Sequence, residues 1–241
     1  MYKGIYIAMT GAQLKFQELD NVTQNLANAN TTGYKKTSFS SRLYPLLEGV
    51  TDNQNVAYPD ARSMAYIGQY SIDTSAGSIR ETGNPFDLAI AGDGFFAVQG
   101  AGNVSYTRNG NFSLRKDGSL VDGSGQQVLN TANKPINITG NGAKIAADGT
   151  IYVDGNPTDK LKIVKLKNGS IQHLGNSLYS GVEDGVSSGE VVQGSIEMSN
   201  VNPIREMAGM ISALRDMDII SKVIKNFDTL AESAVTQIAK V

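Results

Sequence analysis

The chain has 241 residues, 40% of them hydrophobic, with 26 glycines, no cysteine and a formal charge of −2 from 21 basic and 23 acidic side chains. That size and hydrophobic content are enough for one large domain or two small ones, while the glycine count weighs against a large all-α fold. The balanced charge leaves no basic footprint for nucleic acid or anionic membrane, and the lack of cysteine excludes disulfides, thiolate metal sites, iron–sulfur clusters and cysteine nucleophiles.

The amino terminus carries Lys3 and a short apolar run from Ile5 to Met9, which Thr10, Gln13 and Lys15 interrupt before it reaches signal-peptide length. No apolar run attains the ~18 residues of a membrane-spanning helix. Export, if it occurs, therefore needs a route other than an ordinary secretory signal. Ile5, Met9, Ala12, Phe16, Leu19, Thr23 and Leu26 follow alternating steps of four and three, the spacing of a heptad seam on an amphipathic helix. The stretch "NLANANTTGYKK" then ends the helix. Its asparagines and threonines favour caps and turns, and Gly33 can take the left-handed angle of a tight exit. Asn25 and Asn28 lie three apart on one helix face, which predicts amides available to a subunit contact, with Leu26 in the seam.

Residues 36–79, poor in periodic apolar positions, read as an extended connector with a strand pair near its end. From residue 80 to 192 the period changes to two, in runs such as "FFAVQ", "NFSLR", "TIYVD" and "LKIVKLK". Asp-Gly and Asn-Gly pairs punctuate them, including Asp117-Gly118, Asp148-Gly149 and Asp154-Gly155, and such pairs supply the positive φ angles of tight hairpins. A mainly antiparallel β domain is predicted. Asn202-Pro203 then opens a second helix, since asparagine caps a free N–H and proline lacks one. Met207, Met210, Leu214, Met217, Ile220, Ile224, Phe227, Ala231, Ala234 and Ile238 form its seam, and Ile211, Ile219, Val223, Leu230 and Val235 widen the apolar surface beyond what one partner helix covers. The predicted fold is α+β: two long terminal helices paired as a coiled-coil domain (residues 1–35 and 193–241) with the connector (36–79) and the β domain (80–192) between them.

Two motifs invite an enzymatic reading. Gly92-Asp93-Gly94-Phe95-Phe96-Ala97 matches a dinucleotide fingerprint, but aromatic and β-branched residues follow where a helix N-terminus is needed for a pyrophosphate. Gly185-Val186-Ser187-Ser188-Gly189 matches the nucleophile elbow, but the sole histidine, His173, precedes it, in the wrong order for an α/β-hydrolase, and a lone histidine makes no two-histidine metal site. The aspartates sit in turns without calcium-loop spacing. No catalytic residue, metal or cofactor is assigned.

"IYIAMTGA", "NLANANTTGYKK", "TGNPFDLAIAGDGFFAVQ" with "YTRNGNFSLRKDGSLVDGSGQQVL", and "GSIEMSNVNPIREMAGMI" occur in that order across nearly the whole chain and resemble the bacterial flagellar rod and hook proteins. The resemblance implies terminal helices that form the inner tube of a hollow axial filament, an outer β domain, and export through the flagellar type III apparatus. It implies a structural rod subunit that passes motor torque across the periplasm to the hook, partnered by its own copies and other rod proteins, with no small-molecule substrate. The opening "YIAMTGA" and the length are most similar to the proximal-rod member that adjoins the distal rod, with the distal-rod member as the alternative and a secreted adhesin-like or wall-modifying protein as a further one. Matching positions and seams together nominate Leu19, Asn25, Leu26, Asn28, Gly33, Tyr34, Met207, Ile211, Leu214, Ile220, Ile224 and Phe227 as subunit-interaction residues.

Overall fold

A computed structural model describes residues 2–46, 62–100, 102–140 and 142–238. Among the described residues two helices, α1 (Tyr2–Ala27) and α2 (Pro203–Ile238), flank in sequence a region of eighteen strands, and every strand pair with a defined register is antiparallel. The fold is α+β. α2 begins at Pro203, whose missing N–H and fixed φ suit the first helical position.

The chain forms two compact units, one of Met1–Leu26, Thr37–Tyr70 and Pro203–Val241, the other of Ala27–Lys36 and Ser71–Asn202. The helical unit holds α1, α2 and most of a two-stranded sheet made by Thr37–Leu46 and Arg62–Ile72. Within the segment read as an extended connector, Thr37–Leu46 and Arg62–Ile72 are thus paired strands, with the Phe39 and Tyr70 rings at 5.9 Å. The part of that expectation covering residues 47–61 lies outside the described residues. Among the described residues no helix is long and apolar enough to cross a membrane.

The second unit is built on a nine-stranded sheet whose central strand, Phe95–Gln99, is buried on both faces. Alternation sends Phe96 and Val98 into one core with Leu88, Phe112, Leu120 and Ile151, and Phe95 and Ala97 into another with Tyr106, Leu129, Val164 and Tyr179. Edge-to-face rings, Phe96 on Phe112 at 5.2 Å and Phe95 on Tyr179 at 5.5 Å, occupy one core each. The turn chemistry is as the sequence predicts at Asp154-Gly155, where both residues have positive φ (50° and 85°) between strands Thr150–Val153 and Asn156–Lys160. Asn109-Gly110 differs: Gly110 lacks positive φ, and a Cβ there would lie 1.6 Å from the Leu88 carbonyl oxygen, so glycine serves close backbone packing.

Candidate functional site

The helices meet in one antiparallel register. A Cβ on Gly4 would lie 2.7 Å from the Phe227 ring and one on Gly11 3.9 Å from Ile220; Lys15 pairs with Asp216 at 2.9 Å, a Cβ on Gly209 would lie 3.8 Å from Val22, and Asn25 donates to Glu206 at 3.3 Å. Each step forward along α1 is matched by an equal step back along α2. The face that α1 turns to α2 therefore carries Gly4, Gly11, Lys15, Val22 and Asn25. This corrects the seam read from the sequence, which lies about a quarter of a turn away at 3.6 residues per turn. Met9 and Phe16 of that seam are 54% and 53% exposed. The physical reason is steric at Gly4, where the bare backbone admits the Phe227 ring. Gly209 is different: its distance to Val22 is an ordinary contact, so nothing there requires glycine.

On α2 the expected seam residues Ile220, Ile224 and Phe227 are half-buried, as are Leu19 and Leu26 on α1. Met207, Ile211 and Leu214 are exposed, together with Ile219, Val223, Leu230 and Val235. A second apolar surface runs along α2 and stays open when α1 is in place. Soluble monomers rarely keep such a surface uncovered.

Asn25 has an internal role. It is fully buried, its Oδ1 accepts from the Thr37 amide at 3.0 Å, and its Nδ2 donates to the Thr37 carbonyl at 2.8 Å. The side chain thereby mimics a strand neighbour and pins the first strand to α1, with Asn21 donating to the same carbonyl at 2.9 Å. Both ends of the Asn25 amide are used within its own chain. Asn25→Ala leaves the half-buried Thr37 amide without its acceptor, while the carbonyl keeps Asn21, and is expected to cost about 1–3 kcal/mol. Urea unfolding followed by circular dichroism measures it, and a loss below the error of the midpoint would reject the pin.

The rest of "NLANANTTGYKK" enters the second unit. Gly33 adopts φ +68°, its amide donates to the Glu197 carbonyl at 2.8 Å, and a Cβ there would sit 2.2 Å from the Asn109 nitrogen. Only glycine fits both the angle and the space. Tyr34 is 1% exposed, against the His173 ring at 5.7 Å. Gly33 and Tyr34, like Asn25, thus pack within the chain in this conformation. Asn28, half-buried, accepts from the Thr31 amide at 3.1 Å in the turn that follows α1.

Lys35 brings this segment to a buried charge cluster. Its ammonium meets Glu197 Oε1 at 2.7 Å and the Ser75 carbonyl at 2.6 Å, Arg108 meets Glu197 Oε2 at 2.6 Å, and the Gly77 amide donates to Oε1 at 2.7 Å. All three charged side chains are 1% exposed. Arg108 also donates to the carbonyls of Ile90 (3.0 Å) and Gly92, and lies over the Phe95 ring at 5.6 Å. Burial pushes the Lys35 ammonium below the ordinary lysine range, against the pull of the Glu197 carboxylate. Burial also raises the Tyr179 phenol, which stays protonated, donating to the Gly33 carbonyl at 3.4 Å and accepting from the Lys35 amide at 2.9 Å. Two cations, one carboxylate and a phenol thus clasp segments from the beginning, middle and end of the chain.

The motifs that invited enzymatic readings are accounted for structurally. Strand Phe95–Gln99 follows Gly92-Asp93-Gly94, so no helix N-terminus faces those glycines. Ser187 donates its hydroxyl to the Asp93 carbonyl and accepts from the Gly189 amide at 2.9 Å, as a loop clasp. His173 stands in strand Gln172–Gly175 between the rings of Tyr34 and Tyr179 (5.2 Å), and its Nδ1 accepts from the Gly175 amide. Burial lowers its pKa, so the fold binds it neutral. The unfolded chain takes up that proton below the ordinary value of 6.5, so this contribution to stability is complete above it and is lost as pH falls through it. As the chain has one histidine, His173→Gln is expected to flatten the dependence of the urea midpoint between about pH 7 and pH 5.5, and an unchanged slope would contradict the assignment.

Arg108 and the cluster itself were missed by sequence reasoning. Glu197 had been matched only as part of a motif. No local signal marks it: "SIE" is a strand whose three residues are all buried, and only the fold shows that its glutamate needs a buried cation.

Open apolar helix faces, with conspicuous polar groups committed to internal clasps, define a structural protein that assembles. Three family models match the chain: flagella basal body rod protein over residues 5–35, flagellar hook protein FlgE/F/G D1 domain over 89–153, and flagellar basal body rod FlgEFG protein C-terminal over 192–238. Lys35, Arg108 and Glu197 fall one in each matched segment. The chain is 33% identical to the flagellar basal-body rod protein FlgG of Agrobacterium fabrum, with 95% of this chain and 97% of the relative covered. It is 28% identical to the flagellar basal-body rod protein FlgF of Rhizobium meliloti (98% and 97% covered) and 30% identical to the flagellar basal-body rod protein FlgG of Bacillus subtilis (98% of each). The chain belongs to the flagellar basal-body rod protein family. It is a structural subunit of the rod, not an enzyme, and rod proteins assemble with other rod components.

Proposed function

We propose that the chain is the proximal-rod member that adjoins the distal rod, and that its helices pack as a coiled coil into the inner tube of a hollow shaft carrying torque from motor to hook. The observation that carries this reading is the apolar surface left open on α2, from Met207 and Ile211 through Leu214 to Leu230 and Val235. Neighbouring subunits cover it in the tube. The exposed Met9 and Phe16 of α1 extend the same argument to the other helix. Ile220 and Phe227 then hold the helix pair, and Met207, Ile211, Leu214 and Ile224, with Leu19 and Leu26 of the α1 seam, face neighbours. Export through the flagellar type III apparatus places the subunit across the periplasm without a cleaved signal. The proximal assignment rests on the opening "YIAMTGA" and on the length; the distal-rod member is the alternative, since FlgG and FlgF relatives match at similar identity.

The test is a map of intact basal bodies from cells carrying this chain, with a deletion of residues 1–30 beside it. Density for this chain below the distal rod, and loss of rods and swimming in the deletion, are the expected results. Rods that still form without residues 1–30 would end the tube assignment. Density in the distal segment would replace the proximal one.

A further inference from the structure

The sequence holds three Asn-Gly pairs, and the fold treats two of them in opposite ways; the third, Asn141-Gly142, begins at a residue outside the described ones. Asn109 is half-buried, and its Oδ1 accepts from the Asn111 amide at 3.1 Å. Gly110 after it is buried, and its carbonyl accepts from the Leu88 and Phe112 amides at 2.9 Å each, so this peptide is held on both sides. Asn168 and Gly169 are both exposed and form the tip of the turn between strands Ile163–Leu166 and Gln172–Gly175. That turn is anchored at its ends. The Lys167 amide donates to the Val182 carbonyl at 2.9 Å, and the Ser170 amide and hydroxyl donate to the Lys167 carbonyl at 3.1 and 2.7 Å. Neither the Asn168 side chain nor the Gly169 amide has a hydrogen-bond partner among the described residues.

We infer that Asn168 is a site of self-modification, converted to aspartate and isoaspartate by way of a cyclic imide formed with Gly169. The Gly169 nitrogen attacks Asn168 Cγ, a new C–N bond forms, the Cγ–Nδ2 bond breaks, and the amide proton leaves with the side-chain nitrogen as ammonia. Water then opens the ring at either carbonyl, giving aspartate or an isoaspartate whose main chain runs through Cγ. Water is the sole co-reactant, and nothing is oxidised or reduced. Glycine at the second position leaves the attacking nitrogen unshielded by a Cβ. The ring closes only where the peptide between the two residues is free to rotate, as at an exposed turn tip and not in a packed one. The product adds one negative charge to a chain of formal charge −2. Asn168 lines a small cavity together with Lys165 and Asp93, themselves 3.5 Å apart, so the reaction puts a second carboxylate near that lysine.

The experiment holds the full chain at mildly alkaline pH, either folded or unfolded in guanidinium chloride, and samples it over weeks by peptide mapping with mass spectrometry and an isoaspartate assay. Unfolded, Asn109-Gly110 and Asn168-Gly169 are chemically alike and are expected to react at similar rates. Folded, Asn168 is expected to keep close to its unfolded rate while Asn109 slows at least about tenfold, because local opening is nearly free at a surface turn and costly in a core. Isoaspartate at position 168 identifies the cyclic imide, since direct hydrolysis of the side-chain amide gives aspartate alone. An Asn168 that stays intact in the folded chain, or that yields only aspartate, would overturn the inference. An Asn109 that reacts as fast as Asn168 in the folded chain would overturn it equally.

Discussion

Glu197→Ala is expected to lower the stability of the β unit by about 3–5 kcal/mol, the cost of breaking a buried ion pair from one side. The carboxylate is the common acceptor for Lys35, Arg108 and the Gly77 amide, so its removal leaves two cations buried with one another and an N–H without a partner. A domain holds only about 5–15 kcal/mol in total, so the variant sits close to unfolding at ambient temperature. Glu197→Gln keeps the volume and one acceptor oxygen but not the charge, and should lose most of the same stability, which separates electrostatics from packing. Lys222→Ala, at an exposed pair with Asp218, is the control and should leave the midpoint where it is. Urea unfolding read by tyrosine fluorescence measures all three, because the unit holds Tyr34, Tyr106 and Tyr179 and the chain has no tryptophan. A loss from Glu197→Ala no larger than that of the control would mean that the cluster does not hold the three segments together.

Leu214→Asp is expected to abolish rod assembly and swimming while leaving the isolated subunit as stable as the parent. Leu214 is 49% exposed in the single chain and its neighbour on the same surface, Ile211, is 54% exposed, so a carboxylate there stays hydrated until a second subunit covers it. Burial of an unpaired carboxylate at that point costs several kcal/mol, enough to reverse the gain of about 1.5–3 kcal/mol from burying leucine. The adjacent position makes the contrast: Ala213 is fully buried in the subunit, so Ala213→Asp should unfold the helical unit before assembly is reached. Thermal unfolding of the two purified variants, beside electron microscopy of basal bodies from cells expressing each, reads both effects. Normal rods from Leu214→Asp would refute the assignment of this face to subunit contacts.

Much of the architecture was legible because it is locally encoded. The three-and-four spacing from Ile5 and from Met207 produced helices, the period-two runs between them produced strands, and Asp154-Gly155 produced the hairpin its chemistry calls for. The strand pair over 37–72 was read largely as a connector, because its apolar residues are sparse and its pairing has no local turn signal among the described residues. Asn109-Gly110 is one of the Asn-Gly pairs that signal a turn, yet the smallness of this glycine answers a carbonyl contributed by Leu88, more than twenty residues earlier in the chain.

By itself the sequence determined two amphipathic helices around an antiparallel β region, and an excess of apolar surface on α2, since periodicity and turn preference depend on neighbours within a few positions. Which face of α1 meets α2 was decided only in three dimensions, where Gly4 lets the Phe227 ring approach and Gly11, Lys15, Val22 and Asn25 share its face in place of the more apolar seam. The site was likewise tertiary: Glu197 gathers Lys35 from 162 positions away and Arg108 from 89. A charge can be buried only where its counter-charge arrives, and no local pattern records that meeting. "NLANANTTGYKK" shows both levels, since its residues predict a helix end, while only the folded chain turns Asn25 onto Thr37 and Lys35 onto Glu197.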